Sequence, residues 1–266
     1  MRWSHIIDFG SRSMKLYVLE GSRLAIKRVI NYDLINHCPV VAEIHVLLDE
    51  LVRDVDVSRT RAVGTAAVRR DAYLASMLAT ACTGVGISYE TITQEREAAL
   101  IRRAFCSSPE LDVFNVGGGS IQIVKRDGSY ALIPFGISDL NREYDLTSIP
   151  SERLVKECKL HIIRNLPSDL GVFIYTGGEK TYLQKIGATL ADGGVCTGEE
   201  FKRVTHALSL LEVSQLEELS TFGLGWMSGA IASNLIVEAA LEVAGVDYFI
   251  PSDQNIADGI LAELLL

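Results

Sequence analysis

The sequence predicts a duplicated α/β protein: two lobes of mixed sheet and helix, with a phosphate- or nucleotide-sized cleft between them. Three observations carry that reading. An apolar strand, a turn of small residues and a β-branched strand run through Ile6-Ile7-Asp8-Phe9-Gly10-Ser11-Arg12-Ser13 into Met14-Lys15-Leu16-Tyr17-Val18. The same unit recurs at Val113-Phe114-Asn115-Val116-Gly117-Gly118-Gly119-Ser120, followed by Ile121-Gln122-Ile123-Val124. Finally, strands come first, helix and strand then alternate, and that order begins again near residue 111. A hairpin turn of this kind presents backbone N–H groups and hydroxyls outward, as a cradle for phosphate oxygens. Two of them, led by Asp8 and Asn115 at their strand ends, suggest paired clamps converging on one anion.

Taken in order, residues 6–9, 15–19 and 24–30 read as three successive strands. Over 40–54 the apolar positions Val41, Ile44, Leu47, Leu48 and Leu51 recur at helical spacing. Residues 60–65 resemble a short strand running into a loop, and 72–82 a helix closed by Gly84. A strand at 88–92 precedes a helix at 95–105 with glutamate early, which suits the helix dipole. After the second hairpin, 130–134 extends the sheet and 151–164 is an amphipathic helix. Residues 170–175 form an apolar strand ending at Thr176-Gly177-Gly178. Helices are expected at 199–210, 213–218 and, long and apolar, at 227–243, then a strand at 248–251 and a terminal helix at 255–265.

The 266 residues suit two lobes, 1–124 and 125–266, each with its own core, and the terminal helix is a candidate to fold back on the first. A net charge of −9 argues against extended contact with nucleic acid, whose partners carry basic surfaces. No apolar run of about 18 residues is evident, so no membrane partner is expected. The chain runs from its first residues straight into a strand, leaving no room for a signal peptide, and the expected compartment is cytoplasmic. Cys38, Cys82, Cys106, Cys158 and Cys196 are odd in number and scattered, which favours free thiols over disulfides or a zinc site.

These motifs resemble the exopolyphosphatase / guanosine pentaphosphate phosphatase family, within the actin-like, sugar kinase and heat-shock ATPase superfamily. Asp8-Phe9-Gly10-Ser11-Arg12-Ser13 is similar to the family's opening Asp-Ile-Gly-Ser-Asn-Ser turn, and 62–69 to its Thr-x-Ala-x-Arg segment. Residues 92–100, with Glu97-Ala98, are similar to its Gly-x-Glu-Glu-Ala-x-Leu helix. Asn115-Val116-Gly117-Gly118-Gly119-Ser120 corresponds to its second turn and Tyr175-Thr176-Gly177-Gly178 to its later glycine turn, with a looser match at Gly229 and 258–261.

The resemblance implies two actin-like, ribonuclease H-like lobes built on mixed five-stranded sheets. It implies release of terminal phosphate from polyphosphate or a phosphorylated guanosine nucleotide, and a homodimer. Glu97 would take the place of the catalytic glutamate that orients or deprotonates water, with Arg69 as a bidentate phosphate contact. Gly10, Ser11, Arg12, Ser13, Gly117, Gly118, Gly119 and Ser120 would bind phosphate oxygens, with Asp8, Asn115, Gly177 and Gly178 beside them. Asp8 would hold Mg²⁺. Plainer readings stand next to these: an Asx cap for Asp8, surface charge for Arg69 beside Arg70 and Asp71, a solvated salt-bridging helix for Glu97, and a simple strand-to-helix turn for Gly177-Gly178.

Four positions depart from the family pattern. Asn115 stands where the second turn has Asp, and an amide offers a metal no negative charge. Arg12 stands for Asn, Gln94 for the glycine that opens the catalytic helix, and Asp258 where arginine is common. The chain is therefore either a divergent hydrolase or a degenerate phosphate- or nucleotide-binding sensor or partner-binding protein. A sugar kinase or a filament protein of the same superfamily is the remaining class, though no segment supplies a kinase's acidic base.

Overall fold

The computed structural model describes residues 3–21, 23–35, 37, 39–147, 149–220 and 225–264, and in it the strands form two sheets. The first contains β1 (His5–Phe9), β2 (Ser13–Glu20) and β3 (Arg23–Asn31), then, after α1 (Val41–Leu51), β4 (Thr60–Gly64). Helices α2 (Ala66–Arg70) and α3 (Ala72–Gly84) lead to β5 (Ser88–Thr91), and α4 (Gln94–Ala104) follows. The second sheet opens with β6 (Asp112–Val116), β7 (Ile121–Val124) and β8 (Tyr130–Ile133). Helices α5 (Ile137–Tyr144) and α6 (Glu152–Asn165) lead to β9 (Phe173–Thr176), α7 (Glu179–Lys185), β10 (Cys196–Thr197), α8 (Gly198–Ser209) and α9 (Val213–Glu218). The chain ends with α10 (Ala230–Ala244), β11 (Tyr248–Pro251) and α11 (Ile256–Leu264).

Strand order proves the duplication. The sheets run β3-β2-β1-β4-β5 and β10-β11-β9-β6-β7-β8. In each, three antiparallel strands are followed outward by parallel ones: β1 pairs with β4 and β4 with β5, as β6 pairs with β9 and β9 with β11. The second sheet has six strands rather than the expected five, because β10 adds an antiparallel edge strand beyond β11. The chain changes sheet between β5 and β6, so the expected division at 124/125 falls inside the second sheet and separates β7 from β8, its hydrogen-bonded partner.

Period-2 alternation sorts the apolar residues into layers. Ile7 and Phe9 of β1 face a core with Leu48 of α1 and Leu78 of α3. Phe114 of β6 faces another with Ile162 of α6 and Ile236 of α10. The opposite faces meet in a central layer: Ile6, Tyr17 and Val63 of the first sheet with Val113, Val124 and Ile174 of the second. Helices α4 and α11 fill it through Leu100, Ile101, Ala257 and Ile260, so the terminal helix lies between the sheets and also touches β1 and β3.

Local signals account for most helix starts. The Asp71 carboxylate accepts N–H bonds from Tyr73 and Leu74 at the head of α3, and the Thr93 hydroxyl accepts one from Arg96 at α4. Sequence reading missed α2, α5 and α7, all short. For α5 a signal existed: Asp139 caps the Gly136 N–H at 3.0 Å, with Ile137, Leu140 and Tyr144 at helical spacing. One expectation is corrected: Met227–Ala244 is long and apolar enough to span a membrane, with mean hydropathy 1.3. Two thirds of that window is buried within the protein, where α10 is packed into the second sheet's core, so core packing accounts for its composition. Cys82, Cys106, Cys158 and Cys196 are free, and Cys38 lies outside the described residues.

Candidate functional site

The same alternation that builds the central layer aims polar side chains into it. Asp8 follows Ile6 by two residues, Lys15 precedes Tyr17 by two, Asn115 follows Val113, Gln122 precedes Val124, and Thr176 follows Ile174. All therefore share the central face, at the strand ends where the two sheets meet. Asp8 and Lys15 are cross-strand partners in β1 and β2, as Asn115 and Gln122 are in β6 and β7. The two hairpins repeat each other: Gly10 N–H donates to the Ser13 carbonyl at 3.0 Å, and Gly117 N–H to the Ser120 carbonyl at 2.9 Å.

Both turns line one cavity of about 150 Å³. Gly10, Ser11, Arg12 and Ser13 form one wall with Asp8 and Lys15; Asn115, Gly117, Gly118, Ser120 and Gly177 form the opposite one, and Glu97 reaches in from α4. Arg69, Gly119 and Gly178 are not among its lining residues. The turns are in contact: a Cβ on Gly118 would lie 2.9 Å from the Ser11 Cβ, so only glycine permits the approach. The third glycine, 119, packs against Ser11 and Ala66. Gly177 and Gly178 hold φ of +106° and +100°, the left-handed region that turns β9 sharply into α7.

At the cavity wall a closed ring of side chains ties the second sheet to α2 and α4. Asn115 Nδ2 donates to Glu97 Oε1 at 3.3 Å and to Gln122 Oε1 at 2.6 Å. Gln122 Nε2 donates to Ser120 Oγ at 2.8 Å, and Arg69 Nη2 donates to the same oxygen at 3.1 Å. Arg69 Nη1 closes the ring on Glu97 Oε2 at 2.8 Å. Arg69 is thus neither a surface charge nor a cavity wall; it holds the catalytic candidate. Its neighbour Arg70 grips the second turn, making paired 2.9 Å bonds to Asp139 of α5 and donating to the Gly119 carbonyl. The amides of Ile137 and Ser138 bind the Gly117 and Gly118 carbonyls at 3.0 and 2.8 Å, fixing that turn from behind.

Arg12 reaches across the cleft. Its Nη2 donates to the carbonyls of Gly225 and Trp226 at 2.9 and 3.1 Å and to Ser228 Oγ at 2.7 Å. It lines the cavity as expected, but its hydrogen bonds go to the opposite wall. Gln94, at the other departure, ties α4 to the Ile121 and Ile133 carbonyls at 3.1 and 3.0 Å. Asp258 caps α11, accepting from the Asn255 N–H at 2.8 Å.

Three cavity carboxyls are shifted upward. Burial pushes Glu97 up to about 7, opposed by the charge and hydrogen bond of Arg69, with Asp8 adding to the rise. Burial takes Asp8 up to about 6, Lys15 opposing. Burial and then Asp253 take Glu179 up to about 8. The Lys15 ammonium is held below its ordinary value by burial, with Asp8 opposing. Asp8 Oδ1 and Glu179 Oε1 are buried without a hydrogen-bond partner. Lys15, Gln122 and Glu179 were missed in the sequence. Strand alternation from Asp8 and Asn115 across the turns could have found the first two, but Glu179 carries no local signal.

Two sheets of one repeated strand order, with equivalent hairpin turns facing a common cavity, give the fold of two actin-like lobes. The family model of the Ppx/GppA phosphatases matches residues 45–266, and the chain belongs to that family. The resemblance read from the motifs is thereby borne out, and it places the chain among phosphatase-type proteins. The structure is similar to that of an Aquifex aeolicus Ppx/GppA family member at 21% identity and a TM-score of 0.73, covering 98% of this chain and 96% of that one. It is also similar to an exopolyphosphatase from Cytophaga hutchinsonii at 16% identity and a TM-score of 0.76, covering 98% and 97%. At such identities the likeness is one of fold. No curated protein matches the chain.

Proposed function

We propose that the chain is a phosphohydrolase that releases the terminal phosphate of polyphosphate or of a phosphorylated guanosine nucleotide. The observation that carries this reading is Glu97, a carboxyl raised to about 7 in the same cavity as both phosphate-type turns. A group titrating near neutrality can accept a proton from water and return it. The turn amides, with the Ser11, Ser13 and Ser120 hydroxyls and Lys15, hold the phosphate oxygens. A water oxygen held by Glu97 bonds to the terminal phosphorus, and the bridging P–O bond breaks with its electron pair leaving on the departing phosphate. The water proton passes to Glu97, which Arg69 and Asn115 keep in position.

Mg²⁺ is part of the proposal in a restricted form. Among the described residues no three His, Cys, Asp or Glu side chains converge to hold a metal. The unpartnered Asp8 Oδ1 fits a cation brought in on the phosphates, which Mg²⁺ prefers to an all-protein cage. Such an ion would neutralise phosphate charge. A cytoplasmic setting, where the free thiols stay reduced, belongs to the same proposal.

Asn115 favours a second reading, binding without turnover, because its amide is committed to Glu97 and Gln122 and brings no charge. Phosphate release from tripolyphosphate and from guanosine pentaphosphate, with Mg²⁺, separates the two. Release abolished by Glu97→Gln supports the hydrolase; ligand-dependent thermal stabilisation without release supports the binding protein.

A further inference from the structure

Gln122 is a polar side chain with no exposure to solvent, and it is not among the residues that line the cavity. It nonetheless joins two that do. Its Oε1 accepts from Asn115 Nδ2 at 2.6 Å, and its Nε2 donates to Ser120 Oγ at 2.8 Å. The neighbours fix the sense of these bonds. Asn115 gives one amide hydrogen to Glu97 Oε1 and the other to Gln122, while its Oδ1 accepts from the Thr176 hydroxyl at 3.4 Å. Turning the Gln122 amide over would set its nitrogen against the Asn115 nitrogen, donor to donor. Turning Asn115 as well would set its oxygen against an ionised Glu97, acceptor to acceptor. One orientation satisfies every member of the ring.

Ser120 stands at the end of this chain of bonds. Its Oγ accepts from Gln122 and, at 3.1 Å, from Arg69 Nη2, so both of its lone pairs are filled. The hydroxyl proton is left for the cavity, which Ser120 lines. We infer that Gln122 is a positioning residue that holds the Ser120 hydroxyl as an obligate donor to a phosphate oxygen of the ligand. This rests on the reading of the cavity as a phosphate site. An ionised phosphate oxygen only accepts, so a hydroxyl whose lone pairs are already taken matches it, whereas a free serine must first turn its lone pairs away. A carboxylate in place of the Gln122 amide would act in the opposite sense. It would accept the Ser120 proton itself and leave a serine lone pair facing the ligand. The same amide keeps Asn115 turned with its N–H towards Glu97. One buried side chain thus orients the donor that meets phosphate and the amide that steadies the carboxyl.

Calorimetric titration of the full chain with tripolyphosphate and Mg²⁺ at pH 8, where Glu97 is largely ionised, tests this. Ser120→Ala is expected to weaken binding about tenfold or more, the usual scale for losing one hydrogen bond to a charged group. Gln122→Glu is expected to weaken it by at least as much, and adding Ser120→Ala to that variant to cost nothing further, because the hydroxyl has already turned to the carboxylate. Gln122→Met, uncharged and of similar volume, carries the same cycle if the buried charge of Gln122→Glu prevents folding. It is expected to weaken binding severalfold and to shrink the further loss on Ser120→Ala. A Gln122 that only packs would lower the melting temperature and leave the cost of Ser120→Ala unchanged, so additive losses in the Gln122→Met cycle overturn the inference. A Ser120→Ala or Gln122→Met protein that binds like wild type overturns it too, and each of these results leaves the phosphate site standing. Failure of the wild-type protein to bind tripolyphosphate overturns the phosphate site and this inference with it.

Discussion

Asn115 and Glu97, one from each half of the fold, are joined by a hydrogen bond of 3.3 Å from the amide to the carboxyl. Asn115 gives its other contact to Gln122, so the amide is committed to the ring that holds Glu97. Replacing that amide by a carboxylate changes both charge and hydrogen-bond count. Asn115→Asp is expected to lower stability by about 1–3 kcal/mol at pH 8, since a buried like charge then faces Glu97 with no donor between them. The loss is expected to shrink at pH 5, where one carboxyl is protonated. Urea unfolding at the two pH values measures it.

Glu97→Gln keeps the bond to Asn115 but removes the base. Phosphate release is expected to fall by about 10²-fold or more, the usual scale for losing a general base, while tripolyphosphate affinity changes little. The wild-type rate is expected to rise with pH through about 7, as Glu97 ionises, and that rise is expected to be absent from the variant's residual activity.

Stability should fall as pH rises across the neutral range. Glu97, Glu179 and Asp8 have native values of about 7, 8 and 6, above the ordinary 4.5, 4.5 and 3.8. A carboxyl raised on folding favours the native state fully below its unfolded value, and that contribution disappears as pH climbs through its native value. The expected window is therefore about pH 4 to 8. His5, held low mainly by burial, acts in the opposite sense as pH falls through its range. Thermal melts from pH 5.5 to 8.5 are expected to show a declining midpoint, and Glu179→Gln to flatten the decline near pH 8.

Arg12→Ala removes bonds to two carbonyls and a hydroxyl on the far side of the cleft. Hydrogen bonds involving a charged group contribute about 1.5–3 kcal/mol each, net of exchange with water. The variant is expected to melt lower and to exchange amide hydrogens faster at Ser228 and Gly229, read by hydrogen-exchange mass spectrometry. Unchanged protection there would mean that Arg12 does not hold the cleft closed.

The hairpins were legible because a strand, a tight turn and a second strand are local events, written by β-branched residues around glycine. α2 and α7, with five and seven residues, carry too few turns for a period to register, whereas α5 does carry one in Ile137, Leu140 and Tyr144. The triple glycine at 117–119 points in the sequence to a phosphate cradle, whereas in the fold the nearest neighbours of Gly118 include the other turn. Motif position makes Arg69 a phosphate contact, and the fold gives its hydrogen bonds to Glu97, Ser120 and the Ile92 carbonyl.

The sequence by itself determined every strand but β10, the two turns and the helix that carries Glu97, because each is encoded within a few consecutive residues, and the family, because its motifs follow in order along the chain. Only the tertiary structure decided what those residues meet. Arg12 finds Ser228 across 216 positions, and Glu97 finds Asn115 because alternation turns both sheets' polar strand ends into one shared layer. Burial, which no local pattern encodes, is what moves Glu97 to about 7 and leaves Glu179 Oε1 without a partner.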